Sequence, residues 1–219
     1  MYFVEEKGLY RCLPFEEFVW QKHAFGSRHA NPAAHVTLRQ VHSDHVLNGS
    51  CLGDRAQTGD ALVSTGLGLS IGVRTADCVP VLLLDSRTRA VAAIHAGWRG
   101  TAAQIVRRTI EKLNADFGSH PKHIHAAIGP CIRACCYEVN PEMAAQFSPW
   151  PASVFHPAGP KPHVDLAAAN REQLIEAGLS ADHILDSELC TSCRLDQFFS
   201  FRREPENPGR MLSAISRIA

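Results

Sequence analysis

Two apolar runs dominate the middle of the chain, VPVLLLD at 79–85 and AVAAIH at 90–95, with the short polar turn DSRT between them. A strand with one wet face alternates apolar and polar residues, so continuous apolar character requires cover on both faces. So short a connection joins antiparallel neighbours, and the pair is expected as a hairpin inside a layered fold. HVTLRQV (35–41), ALVST (61–65), LSIGV (69–73) and HIHAAIG (123–129) read as further strands.

Two segments carry helical periodicity. Ala102, Val106, Ile110, Leu113 and Phe117 form one apolar stripe, which Gly118 ends. A second helix starts at the N-cap Asp165 and runs through LAAANREQLIEAG to Gly178. It places Asn170 on the face of Leu166, Leu174 and Ala177, where an amide is expected to be hydrogen-bonded within the core. Many strands with two main helices predict an α+β fold, mixed sheets with helices packed outside, and the length favours a single domain over 1–219.

At 219 residues the chain buries roughly 70% of its unfolded surface and needs no disulfide or metal staple for its core. Lysine plus arginine equals aspartate plus glutamate, 22 each, which argues against a general nucleic-acid or membrane-surface binder. No apolar stretch is long enough to span a bilayer. The start, MYFVEEKGLYRC, has glutamates where an export signal has a basic region, so a cytoplasmic setting is expected. The eight cysteines are then expected as reduced thiols, and the twelve histidines keep metal chemistry open.

Three stretches put metal-capable side chains at strand edges: LRQVHSDHV with His42 and His45, RTADCVPVLLLD with Asp77 and Cys78, and AAIHAGWRG with His95. Two imidazoles and a thiolate would make a three-ligand site with an open fourth position, as catalytic zinc requires. The gaps between them are long, so spacing alone leaves buried structural His and Cys as the alternative. Without metal, His95 beside Cys78 could generate a thiolate nucleophile. Asp77 reads as a general base, as an orienter of a histidine, or as a turn former. The glycine after the His95 strand permits close approach, Arg99 offers a fork for phosphate or carboxylate, and Trp98 reads as a packing residue.

Cys131, Cys135, Cys136, Cys190 and Cys193 raise a structural-zinc reading, but a single CxxC without a matching second one leaves reduced thiols as the simpler expectation. Multicopper oxidation needs several close histidine pairs, and the one His-x-His is His123–His125, within an expected strand. FFSFRREPENPGRML sets Arg202, Arg203 and Arg210 behind an expected aromatic strand. Adjacent arginines there would face opposite ways, so one of the first two could point into a site and bind an anion, with solvated surface arginines as the equal alternative.

QVHSDHV, GDALVST, TADCVPVLLLD, AAIHAGWRGT, AIGPCI with CYEV, DLAAANREQL, and CT before FFSFRRE with GRM resemble, in this order, the YfiH-type laccase-domain family. That family is also called polyphenol oxidase-like, peptidoglycan editing factor or purine nucleoside phosphorylase. The resemblance runs from about residue 23 to 219. It implies a compact α+β fold of layered mixed sheets and a mononuclear zinc site at His42, Cys78 and His95, with copper as the alternative metal. It implies an enzyme that cleaves adenosine, inosine, guanosine and methylthioadenosine with phosphate and deaminates adenosine. Asp77, Cys78 and His95 would be catalytic, Asp77 acting on the leaving purine. Arg28, Arg99, Arg202 and Arg203 would bind substrate. Other readings of the family are a peptidoglycan-precursor editing hydrolase using Cys78 and His95, and a copper-dependent polyphenol oxidase. Expected partners are purine nucleosides and phosphate, with no nucleic acid and no membrane, on a monomer or weak homo-oligomer. One departure from the pattern is Ser43, which stands where glycine is common.

Overall fold

A computed structural model describes residues 2–52, 57–157, 159–206 and 209–219. In chain order the strands begin with β1 (Phe3–Glu6), β2 (Leu9–Cys12), β3 (Gln21–Phe25), β4 (Val46–Asn48), β5 (Ala61–Ser64), β6 (Ser70–Thr75), β7 (Val79–Asp85) and β8 (Val91–Ala96). They continue with β9 (Ile124–Ile128), β10 (Val154–Phe155), β11 (His163–Val164), β12 (Ile184–Asp186) and β13 (Met211–Arg217). The α-helices are α1 (Trp98–Ala102), α2 (Ile105–Phe117), α3 (Pro141–Ala145) and α4 (Leu166–Glu176).

The expected hairpin is the heart of a six-stranded mixed sheet ordered β12-β9-β7-β8-β5-β4. Its two faces explain the uninterrupted apolar runs. Val79, Val81, Leu83, Ala92 and Ile94 face a core shared with Val106, Ile110 and Leu113 of α2 and Leu174 of α4. Leu82, Leu84, Val91 and Ala93 face the opposite way, onto a core with Phe25, Ile71, Val73 and Ile215 from a five-stranded sheet ordered β1-β2-β3-β13-β6. The α+β expectation of layered mixed sheets with flanking helices therefore holds, in the order sheet, sheet, helices.

Three local expectations are corrected. Residues 35–41 form no strand. His35 and Val36 run along β6 (His35 N–H to Ser70 O, 2.8 Å), and the chain then leaves the sheet so that residues 41–43 can wrap a buried carboxylate. The aromatic stretch before Arg202 is a series of turns rather than a strand, because the Ser200 hydroxyl and the Arg202 N–H are both committed to Asp77. The first helix is split at Gln104, whose φ of 60° breaks the ladder between α1 and α2. There α4 compensates: Asn170 Nδ2 donates to Thr101 Oγ1 (3.0 Å) and to Leu166 O, and Gln173 Nε2 donates to Thr101 O (2.9 Å). Asn170 is thus a hydrogen-bonded core amide, as its place in an apolar stripe required.

Candidate metal centre

Strand register assembles the centre. In the β7–β8 ladder Val79 faces Ala96 and Pro80 faces His95, so Cys78, one residue before β7, lies against Gly97, one residue after β8. In the β5–β8 ladder Ala61 faces Ile94, which sets Asp60 beside His95. The His95 N–H donates to Asp60 O, and its ring Nδ1–H donates to Asp60 Oδ1 at 2.8 Å. A carboxylate only accepts, so a proton sits on Nδ1, and the ring in its neutral form offers the Nε2 lone pair to a metal.

Asp60 is fully buried and also collects the third ligand. The N–H groups of His42 (2.9 Å) and Ser43 (2.7 Å) and the Ser43 hydroxyl (2.7 Å) all donate to its carboxylate. His42 enters this wrap at a φ of 61°, a left-handed conformation that costs a non-glycine residue roughly 1 kcal/mol or more. Burial alone would raise the Asp60 carboxyl; the hydrogen bonds from His95, Ser43 and His42 instead hold it well below the usual carboxylate range. Asp60 was not singled out as a site residue from the sequence. Its signal was the GD directly before the ALVST run, where a carboxylate enters a sheet interior.

The ligand atoms of His42, Cys78 and His95 all lie within 4.8 Å of one another, with Cys78 Sγ 3.9 Å from His42 Nε2. His45, the other histidine of QVHSDHV, is exposed and stands outside this group. Two imidazoles and a thiol with oriented lone pairs fit a three-coordinate metal site with an open position. Burial works against charge on both Cys78 and His95. Hydrogen bonds nonetheless bring the Cys78 thiol down to about 6, through His42 and His95, and raise His95 to about 9, through Asp60 and Cys78.

Gly97 leaves the space that the His42 and Cys78 side chains fill. A Cβ there would stand 2.8 Å from His42 Cδ2 and 3.1 Å from Cys78 Sγ. Its backbone, φ −72° and ψ 172°, suits any residue, so the constraint is purely steric. Gly97→Ala is expected to weaken metal binding about 10–100-fold, the range for disturbed ligand support, with the fold intact. Competition against a chelator measures this, and an unchanged affinity would refute the close packing.

A cavity of about 580 Å³ opens over the centre. Its wall includes His42, Cys78 and His95, the aromatic residues Trp98, Tyr137 and Phe201, and the arginines Arg74, Arg99, Arg202 and Arg210. The Arg99 guanidinium stacks 4.3 Å over Trp98, so that indole packs against a cavity cation. Arg202 donates to Glu138 O (3.1 Å) and lies over Tyr137. Of the four arginines expected to meet substrate, the structure brings Arg99 and Arg202 to the cavity. Arg28 and Arg203 are not on its wall: Arg28 pairs with Glu204 at 2.7 Å and stacks on Phe199, and Arg203 donates to Ser192 Oγ. Asp77 borders the cavity at a φ of 82°. Its carboxylate accepts from Thr191 Oγ1 (2.6 Å), Ser200 Oγ (3.0 Å) and Arg202 N–H (2.7 Å), so it fastens the loops that form the wall. Sequence reading passed over Arg74 and Tyr137; lone residues in a strand and a turn carry no local signal of a shared cavity.

The family profile described as multi-copper polyphenol oxidoreductase laccase matches residues 20–218. An adenosine deaminase designated RL5, from an unknown prokaryotic organism, is 43% identical over 163 residues, covering 72% of this chain and 62% of that protein. A purine nucleoside phosphorylase of Bacteroides thetaiotaomicron is 40% identical over 161 residues, covering 71% of this chain and 60% of that protein. These matches span less than two thirds of both relatives. The crystal structure of YlmD from Geobacillus stearothermophilus aligns with a TM-score of 0.85 and 28% identity, over 100% of this chain and 99% of that one. That of the Bacillus licheniformis hypothetical protein YfiH aligns with a TM-score of 0.86 and 25% identity, over 98% of each.

Proposed function

This chain belongs to the multi-copper polyphenol oxidoreductase laccase family, and we propose that it cleaves purine nucleosides with phosphate and deaminates adenosine at a zinc centre held by His42, Cys78 and His95. The observation that carries this reading is one cavity that joins the two-imidazole, one-thiol donor set to aromatic faces and arginines. A purine needs flat apolar surface, supplied by Tyr137, Phe201 and Trp98. Phosphate needs planar cationic donors, supplied by Arg99 and Arg202 with Arg74 and Arg210 on the same wall. The cavity lies within the roughly 300–1,000 Å³ typical of small-ligand sites.

Zinc bound there supplies a Lewis acid with an open coordination position, suited to orienting an oxyanion or activating water. The chain's own residues do the rest. Asp60 fixes the His95 tautomer and draws in the backbone of His42. Asp77 holds the Arg202 backbone at the cavity wall and, bordering the cavity itself, is the group proposed to act on the leaving purine. Phosphate held by Arg99 and Arg202 would attack the ribose carbon that bears the purine. The bond from that carbon to the purine nitrogen breaks, giving the ribose 1-phosphate, and the purine leaves as its nitrogen takes a proton from water. Partners are accordingly small molecules, nucleosides and phosphate.

The copper-oxidase reading is less well supported. Among the described residues, the two groups of three or more His, Cys, Asp or Glu that come together hold two histidines and none. His125 lies in β9, stacked on His183 at 3.9 Å. The lowered Cys78 thiol beside a raised His95 favours one second reading, a nucleophilic thiolate that edits peptidoglycan precursors.

A nucleoside panel with and without phosphate tests the proposal. Free base should appear from inosine, guanosine and adenosine only when phosphate is present, and adenosine alone should yield inosine. Inert nucleosides together with consumption of a muramoyl-serine precursor would transfer the site to the thiolate reading.

A further inference from the structure

Four of the five cysteines outside the catalytic cavity that the sequence groups in GPCIRACCYEV and CTSC converge in space. The sulfurs of Cys135, Cys136, Cys190 and Cys193 all lie within 4.8 Å of one another. Cys193 Sγ is 3.6 Å from Cys135 Sγ and 3.3 Å from Cys136 Sγ. Four thiolates around zinc, at Zn–S distances of about 2.3 Å, form a tetrahedron with edges of about 3.8 Å. The two shortest contacts, 3.6 and 3.3 Å, fall a little inside that edge and all four sulfurs lie within 4.8 Å of one another, so small shifts would admit the ion. The separations lie far beyond the ~2.05 Å of a disulfide bond. Cys131 stands apart, fully buried in the core with its thiol pushed up by desolvation.

We propose that Cys135, Cys136, Cys190 and Cys193 form a second, structural zinc site that ties two loops of the cavity wall together. The backbone already brings the loops side by side, through a parallel bridge between Cys131 and Cys190 with Thr191 N–H donating to Cys131 O at 3.0 Å. Cys190 and Cys193 then flank one tight turn, closed by Arg194 N–H on Cys190 O. Cys135 and Cys136 sit in another, closed by Cys136 N–H on Arg133 O at 2.9 Å. Each loop gives two ligands, and all positions of a closed tetrahedral site are protein sulfurs, so this centre has no opening for substrate. A pure thiolate set selects zinc or an iron–sulfur cluster over hard cations. Binding releases the thiol protons, and four thiolates with one Zn²⁺ leave two negative charges. Arg203, hydrogen-bonded to Ser192 inside the CTSC turn, supplies a cation there, which gives a role to an arginine that the cavity does not use.

The site would brace the wall that carries the cavity residues. Thr191, between the two ligands of one turn, donates to Asp77, and Tyr137 follows directly after Cys136. Arg202 reaches back to Cys136 O and Glu138 O. Losing the ion would therefore loosen Tyr137 and Arg202 without touching His42, Cys78 or His95.

Elemental analysis of protein purified under reducing conditions distinguishes the two centres. Wild type should hold about two zinc ions per chain, and Cys193→Ser and Cys190→Ser about one. His95→Ala should also hold about one, and His95→Ala with Cys193→Ser none. Should the cysteine variants fail to fold, cobalt(II) loaded into His95→Ala gives an independent readout: the intense sulfur-to-cobalt charge-transfer absorption of a four-thiolate site. The proposal is overturned by any of three results. One is zinc content that Cys193→Ser leaves unchanged together with no thiolate absorption from cobalt. Another is iron with a visible chromophore. The third is an unreduced mass lighter by the hydrogens of one or two disulfides among these four cysteines.

Discussion

On the proposed function, His95→Ala should abolish phosphate-dependent release of base from inosine and adenosine and remove the capacity to hold a metal at the cavity. Among the described residues the imidazole is one of three groups there that could ligate a metal, and the Asp60 hydrogen bond orients its Nε2 toward the other two. Removing a group that acts in the transition state costs about 10²–10⁴-fold in rate, and loss of the metal sets the expectation at the upper end. Stability should fall far less, by about 1–3 kcal/mol, the cost of one lost partner on a buried polar group. Asp60 keeps the N–H groups of His42 and Ser43 and the Ser43 hydroxyl, so its carboxylate is not stranded. Steady-state assays alongside denaturant unfolding separate the two effects. Wild-type phosphorolysis by a folded variant would remove this centre from the reaction.

Asp60→Asn should weaken metal binding by about 10–100-fold although Asp60 touches no ligand position itself. Both carboxylate oxygens receive N–H or O–H donors: Oδ1 from His42 and the His95 ring, Oδ2 from the backbone and hydroxyl of Ser43. An amide presents an oxygen on one side and an NH₂ on the other. Whichever way Asn turns, its NH₂ confronts donors, so either the His95 ring or the loop carrying His42 must move. The carboxyl is held below its usual range, so its stabilising contribution is complete at neutral pH and lost as pH falls through the depressed folded value. The stability gap between wild type and Asp60→Asn should therefore be widest near neutrality and shrink as pH drops below about 4. A gap independent of pH, or full metal affinity in the variant, would contradict this role for Asp60.

The strands that build the centre were legible because their cause is local. Residues 79–84 and 90–94 are apolar without interruption, so two-sided cover followed from the residue pattern and an antiparallel pair from the short polar turn between them. The metal-capable residues were legible too, since His42, Cys78 and His95 stand where apolar runs begin or end. The aromatic stretch before Arg202 was misread as a strand, because its turns answer to Asp77, more than a hundred residues away. Residues 35–41 failed in the same manner: the pull of Asp60 on the following loop outweighs the β propensity of HVTLRQV.

By itself the sequence determined the layered α+β plan, its hairpin core and the types of ligand, because hydrophobic periodicity and side-chain chemistry belong to neighbouring residues. Tertiary structure alone decided which arginines line the cavity, which carboxylate orients His95, and that four cysteines from two distant segments lie within 4.8 Å of one another. Such pairings depend on strand register and loop contact, and distances across a ladder are not written in the spacing along the chain.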